Sequence, residues 1–208
     1  MVRNGTLQRI GRVMFNLPDK PFFAMGVSNL VLEVSKNMKA HFPLVGFCLW
    51  DMESIRSFAH HLPARSFLIV EVEKAGRESV YDELKDKFEY VYYAEDSELA
   101  FKYLRIEKRI IFVKNLLTES PLQSMHGVPM RVLEKILVDV YCYKSLFGFI
   151  KCSEWEKLWE TALSRYSINS TRLLRYAVRR GQKKLFFRSP RLGEMNMIDA
   201  DIFNAGNK

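Results

Sequence analysis

Three acidic residues at the ends of two predicted strands could together hold a divalent cation. Asp51 follows the strand predicted at 44–50, and Glu71 and Glu73 lie two residues apart at the end of the strand predicted at 66–72. Because side chains two residues apart on a strand point to the same face, Glu71 and Glu73 share a side. Carboxylate oxygens are the ligands that hard divalent cations prefer. The pattern is typical of metal-dependent nucleases. A nuclease is therefore one function that the sequence suggests, as the alternative to a non-enzymatic protein.

The nuclease pattern is incomplete by one residue. Restriction-type nucleases carry a lysine two positions after the strand carboxylate, whereas Lys74 follows Glu73 directly and faces away from it on a regular strand. A β-bulge at Glu73 would be needed to turn Lys74 to the face that carries Glu71 and Glu73. The favoured interpretation is that Glu71 and Glu73 line a solvated strand end and pair with nearby cations. Glu134 and Asp139 are similarly predicted to form the polar edge of a core helix.

Other catalytic and cofactor motifs are missing from the sequence. It contains no GxxxxGKS/T or GxGxxG phosphate loop and no GxSxG serine elbow. The spacing of Cys48, Cys142 and Cys152 matches no zinc site, and an odd cysteine count favours a reducing cytoplasm over a disulfide framework. These absences disfavour a nucleotide-binding enzyme and acyl transfer, and we expect no metal or cofactor.

The distribution of positive charge indicates where an anionic partner binds. The 208 residues carry a net charge of +8, and residues 165–191 hold nine basic groups and no acidic one. A solvated face normally mixes both signs, so this run predicts binding to nucleic acid or to an acidic partner. A smaller excess lies at 1–20. The predicted binding residues are Arg9, Arg12, Arg172, Arg175, Arg179, Arg180, Lys183 and Lys184.

The elements that position these residues alternate between strand and helix. A short hairpin is predicted at 6–17 around Gly11, and a helix at 27–42 begins the main domain. Strands are predicted at 44–50, 66–72, 89–93 and 109–116, helices after Asp51, at 76–88 and near 98–104, and a hairpin at 122–130. Helices at 131–143, 153–166 and 170–180 end the domain. This order predicts an α/β fold whose mixed, largely parallel sheet has crossover helices and a C-terminal helical segment.

Three passages together resemble the AbiEi-type antitoxin and transcriptional-regulator family of bacterial abortive-infection systems. They are FLIVEVEKAGRESVYDELK at 67–85, the run from VKNLLTESPLQ at 113–123 through VLEKILVDVYCYKSLF at 132–147, and YSINSTRLLRYAVRRGQKK at 166–184. The resemblance spans about residues 6–184. It implies a winged-helix DNA-binding domain followed by an α/β domain that ends in helices, with no catalytic activity of its own. The partner that it implies is a nucleotidyltransferase-like toxin.

The hairpin resembles only the wing of such a winged helix. We therefore expect residues 1–20 to be a winged-helix remnant, 21–190 the antitoxin-like α/β domain and 191–208 a flexible tail. A wing contacts phosphates, whereas base readout needs a recognition helix in the major groove. No uncharged apolar run reaches the length of about 18 residues that a membrane span requires. The expected function is that of a cytoplasmic antitoxin-like or regulatory protein that acts through basic surfaces.

Overall fold

The computed structural model describes residues 20–56, 66–104, 109–150 and 152–182, together with the backbone of two short strands near the start of the chain. These strands, β1 (Gln8–Arg9) and β2 (Phe15–Asn16), pair antiparallel, with Arg9 opposite Phe15. A hairpin therefore forms where the alternating pattern predicted one.

The main sheet has six strands. They are β3 (Phe47–Asp51), β4 (Phe67–Val72), β5 (Val91–Tyr93), β6 (Ile110–Asn115), β7 (Leu122–Met125) and β8 (Val128–Arg131). Their order across the sheet is β5-β6-β4-β3-β8-β7. The neighbours β5/β6, β6/β4 and β3/β8 run parallel, and β4/β3 and β8/β7 run antiparallel. The prediction of a mixed, largely parallel α/β sheet is confirmed.

Helices connect the strands and complete the domain. They are α1 (Asn29–His41), α2 (Glu53–Arg56), α3 (Arg77–Lys87), α4 (Ser97–Tyr103), α5 (Leu133–Cys142), α6 (Lys144–Phe147), α7 (Cys152–Arg165) and α8 (Ser170–Arg179). Side chains cap the first turns of α1 and α8: Ser28 accepts a hydrogen bond from the amide of Val31, and Asn169 accepts one from the amide of Arg172. Among the described residues, no helix is long and apolar enough to cross a membrane.

Both faces of the sheet are covered. All six residues of β4 are buried, so alternate side chains of this strand must pack against helices on opposite sides. Phe67 contacts Phe101 of α4 and Phe147 of α6, which places these helices on its face. Glu71 lies on that face too, four residues along the strand, and α5 and α8 pack over it. Helices α1, which contacts β3, and α3, which contacts β5 and β6, cover the other face.

The hairpin of β7 and β8 determines where α5 begins. Its two-residue turn holds His126 and Gly127 at φ 51° and 76°, the positive values that a type I′ turn requires. The sequence predicted a helix from residue 131, but Arg131 is the last residue of β8 and pairs with Leu122. The helix starts two residues later because Arg131 completes the ladder of the hairpin. Arg131 therefore projects from the sheet rather than from a helix.

Candidate functional site

The predicted basic row on α8 divides into exposed and internally bound arginines. Arg172 and Arg175 are exposed, while Leu173, Tyr176 and Ala177 on the opposite side of the helix are buried. The guanidinium of Arg172 lies 3.7 Å from Glu134 and keeps 47% of its side chain exposed. These two arginines remain available to a partner.

Arg179 is bound to the loop between β6 and β7. Its Nε donates to the carbonyl oxygen of Thr118 at 2.9 Å, its Nη2 to Thr118 Oγ1 at 2.8 Å, and its Nη1 to Glu119 Oε2 at 2.8 Å. These three bonds hold the end of α8 against this loop. Arg179 is therefore a structural contact as well as part of the basic face.

Arg180 turns inward instead of continuing the exposed row. Its Nε lies 3.3 Å from Asp139 Oδ1, and only 17% of its side chain is exposed. Of the other predicted binding residues, Arg9 lies in β1, where only the backbone is described. Arg12, Lys183 and Lys184 fall outside the described residues.

The three carboxylates of the nuclease alternative do not converge. Asp51 is opposite Leu68 in the ladder of β3 and β4, whereas Glu71 is opposite Cys48, so they lie at opposite ends of this strand pair. Asp51 Oδ1 accepts a hydrogen bond from the amide of Glu53, the first residue of α2, at 3.0 Å, and its Oδ2 accepts one from the hydroxyl of Ser28. No group of three or more metal-binding side chains occurs among the residues whose placement is described.

Glu71 is buried, so the interpretation of a solvated strand end is wrong for this residue, although Glu73 is exposed. Glu134 and Asp139 of α5, predicted as the polar edge of a core helix, are both buried. The reason is the same in both places. Charged groups and hydrogen-bond donors from other elements pack against these carboxylates and replace water. Glu134 Oε1, for example, accepts the amide of Asn169 at 2.8 Å.

Glu71 is the centre of an ion-pair network that we call the buried charge cluster, consisting of Glu71, Lys114, Arg131, Lys135, Asp139 and Arg180. Lys114 Nζ lies 2.9 Å and Arg131 Nη2 3.0 Å from Glu71 Oε1, and Lys135 Nζ lies 3.1 Å from Oε2. Lys114 reaches it because the two residues are in register on adjacent strands. One carboxylate thus holds cations from β6, β8 and α5.

Asp139 is the second carboxylate of the cluster. Lys135 Nζ, one helical turn earlier, lies 2.8 Å from its Oδ2, and Arg131 Nη1 lies 3.4 Å from the same atom. Tyr176 Oη donates to Oδ1 at 2.9 Å and accepts from Lys135 Nζ at 2.6 Å. Asp139 and Tyr176 therefore join α5 to α8 inside the protein.

Each cation of the cluster also lies against an aromatic ring. The Arg131 guanidinium is 4.5 Å from the ring centroid of Trp50, and Lys135 Nζ is 4.6 Å from that of Tyr176. Lys114 and Arg180 both contact Tyr143, at 3.1 and 4.2 Å. Cation–π attraction is stronger where water is excluded, so these rings partly compensate for lost hydration.

Burial and charge act in opposite directions on the pKa values of the cluster. Burial would raise the pKa of Glu71, but Arg131, Lys114 and Lys135 outweigh it and hold that pKa well below its usual range. The pKa of Asp139 is lowered for the same reason, because Lys135 and Arg131 overcome its burial. Burial would also lower the pKa of Arg131 and Lys135, but the two carboxylates raise both values. These four groups are charged at neutral pH.

Lys114 behaves differently from the other cations. Burial lowers its pKa to about 8, because the nearby carboxylates do not fully offset the lost hydration and Arg131 and Lys135 repel its charge. Its ammonium is the member of the cluster closest to titrating near neutral pH. The arrangement as a whole can hold an anion or exchange a proton at Lys114.

Sequence reasoning missed Lys114, Arg131, Lys135 and Tyr176. A usable signal was present, because a lysine in the apolar run IIFVKN and two opposite charges four residues apart in LEKILVDV are unusual inside buried elements. Pairing them with Glu71 requires knowledge of the strand order, which the sequence pattern does not provide.

Comparisons with known proteins identify the family of the chain but assign it no activity. No curated protein and no solved structure matches it. A family model described as a family of unknown function (DUF6577) matches residues 1–188, which include every element described above. The chain therefore belongs to this family, DUF6577.

Proposed function

We propose that this protein is a non-enzymatic, antitoxin-like regulator that binds nucleic acid through the exposed arginines of α8. The observation that carries the proposal is the pair Arg172 and Arg175, exposed on one helix within a segment that has no acidic residue from 165 to 191. Arginine stays charged at physiological pH and donates two parallel hydrogen bonds to a phosphate.

The helix that presents these arginines is firmly held, which supports a binding role. Tyr176 bonds to α5 from the buried side, and Arg179 bonds to the loop at 118–119. Fixed cations lose less conformational freedom when they meet phosphates than cations on a mobile segment. The antitoxin and regulatory part of the proposal depends on the resemblance of 67–85, 113–147 and 166–184 to the AbiEi-type family.

Nucleic-acid binding by the full chain tests the proposal. We expect Arg172→Glu/Arg175→Glu to lower affinity for duplex DNA at least tenfold and to reduce the slope of log affinity against log salt by about 1.8, because two phosphate contacts are lost. Lys36→Glu/Lys87→Glu changes the net charge equally at exposed positions on α1 and α3 and serves as the matched control. Equal losses in both variants, or none in the first, would refute the role of α8.

The toxin relationship has its own test. The nucleotidyltransferase-like protein implied by the resemblance would be encoded beside this chain, and its induced expression is expected to arrest growth. Co-expression of the wild-type chain is expected to restore growth. Failure of the wild type to do so would remove the antitoxin part of the proposal and leave nucleic-acid binding to be judged by the salt titration.

A further inference from the structure

The buried charge cluster contains more positive than negative charge. Its cations are Lys114, Arg131, Lys135 and Arg180, and its carboxylates are Glu71 and Asp139. The excess is therefore two positive charges in a region where the side chains of Lys114, Arg131 and Lys135 are at most 4% exposed. Uncompensated charge is costly in a protein interior. An anion would offset this cost.

Several hydrogen-bond donors of the cluster are also unused. Lys114 Nζ, Arg131 Nη1 and Nη2, and Arg180 Nε are buried atoms with no hydrogen bond to any described acceptor. Each of them faces one carboxylate oxygen of Glu71 or Asp139 in an ion pair, at 2.9–3.4 Å. An ammonium has three N–H groups and each Nη of an arginine has two, so one carboxylate oxygen per atom leaves N–H groups of Lys114 and Arg131 for a further acceptor.

We propose that the buried charge cluster binds a phosphate-type oxyanion, with Lys114, Arg131 and Arg180 as its ligands. A phosphate monoester carries close to two negative charges at neutral pH and presents three acceptor oxygens, which matches both the charge excess and the unused donors. Glu71 and Asp139 position the cations and do not contact the anion. This site is separate from the exposed Arg172 and Arg175 and does not depend on the function proposed for them.

The approach to the site is at the end of α8. Arg180 follows the last residue of α8 and is 17% exposed, and Cys142 and Tyr143 beside it are half-buried. Lys114 and Arg131 lie deeper, at 4% and 0% exposure. A site at this depth favours a free phosphate or the terminal phosphate of a nucleic acid, because a phosphodiester inside a continuous strand carries a chain on both sides.

Thermal unfolding of the full chain in inorganic phosphate tests the proposal. At constant ionic strength set with chloride, we expect the Tm to rise by about 3–5 °C when phosphate reaches roughly ten times its Kd. Lys114→Met is expected to lose most of this rise, whereas Lys36→Met, at an exposed position on α1, retains it. No rise in the wild type, or an equal rise in Lys114→Met, would overturn the proposal.

Two further experiments identify the source of the phosphate and cover the case in which Lys114→Met does not fold. Tighter binding of a 5′-phosphorylated oligonucleotide than of its 5′-hydroxyl counterpart would assign the site to a nucleic-acid end, and equal binding with a phosphate-dependent Tm would assign it to free phosphate. If Lys114→Met does not fold, Arg180→Gln replaces it, because Arg180 is at the edge of the cluster. Retention of the full Tm rise in Arg180→Gln would also overturn the proposal.

Discussion

Arg131 Nη2 lies 3.0 Å from Glu71 Oε1, although the two residues belong to strands that are not neighbours. The strand between them, β3, places Cys48 in register with Glu71 and Trp50 beneath the Arg131 guanidinium. Cys48 is buried, and burial raises the pKa of its thiol to about 12, so it stays neutral beside the pair. The pair therefore links β4 directly to β8, although backbone hydrogen bonds connect these two strands only through β3.

Removal of the Glu71 charge is expected to be strongly destabilising. Glu71→Gln leaves Lys114, Arg131 and Lys135 without their shared carboxylate, and breaking one partner of a buried ion pair typically costs about 3–5 kcal/mol. Glu73→Gln, two residues further on and exposed, is the matched control and should change stability by less than about 0.5 kcal/mol. Urea unfolding measures both. A cost below about 1 kcal/mol for Glu71→Gln would show that the cluster does not depend on this carboxylate.

Lys114 is expected to make stability depend on alkaline pH. Burial lowers its pKa from 10.5 to about 8, so between these values the unfolded chain binds more protons than the folded one. The free energy of unfolding of the wild type, relative to Lys114→Met, should therefore rise by up to about 3 kcal/mol from pH 8 to pH 10.5.

Urea unfolding of both proteins at several pH values across this window measures the difference. Tyr143 and Cys48, whose pKa values burial raises to about 12, are present in both proteins, so their contributions largely cancel. A difference that stays flat with pH would mean that Lys114 keeps its ordinary pKa in the folded state.

The order and type of the elements could be predicted because they depend on local periodicity. The apolar run at 67–72 and the stripe of α5 retain their pattern wherever they pack. The start of α5 could not be predicted, because Arg131 is fixed by the ladder of the hairpin and not by its own propensity.

The buried charge cluster could not be predicted for a different reason. Glu71 and Glu73 are equivalent in the sequence pattern, and only the position of β4 between β3 and β6 buries the first. Glu71 and Arg131 are separated by 60 residues. Alternation and spacing describe one element at a time and contain no information about such a pairing.

The hydroxyl of Tyr176 is expected to stabilise the contact between α5 and α8. It accepts from Lys135 Nζ at 2.6 Å and donates to Asp139 Oδ1 at 2.9 Å. Tyr176→Phe removes one hydrogen-bond partner from each of these charged groups. It should lower the free energy of unfolding, measured in urea, by about 1–3 kcal/mol. Tyr103→Phe, at a residue that is 71% exposed, is the control and should be nearly neutral. Equal stability of the two variants would contradict a structural role for this hydroxyl.

Loss of Arg179 is expected to affect mainly the loop at 116–120, whereas loss of Arg175 is expected to affect mainly nucleic-acid binding. Its donors are already bonded to Thr118 and Glu119, and Glu119 is held at a positive φ of 56°. Arg179→Ala should therefore speed amide hydrogen exchange at 116–120 and lower nucleic-acid affinity less than Arg175→Ala does.

Arg175→Ala is the matched comparison, because it removes the same charge from an exposed position one turn earlier on α8. It should leave exchange at 116–120 unchanged while weakening binding. If Arg179→Ala weakened binding as much as Arg175→Ala without changing exchange, the bonds to the loop would be dispensable. In that case the basic face of α8 would extend to its last turn, and Arg179 would contact the partner directly.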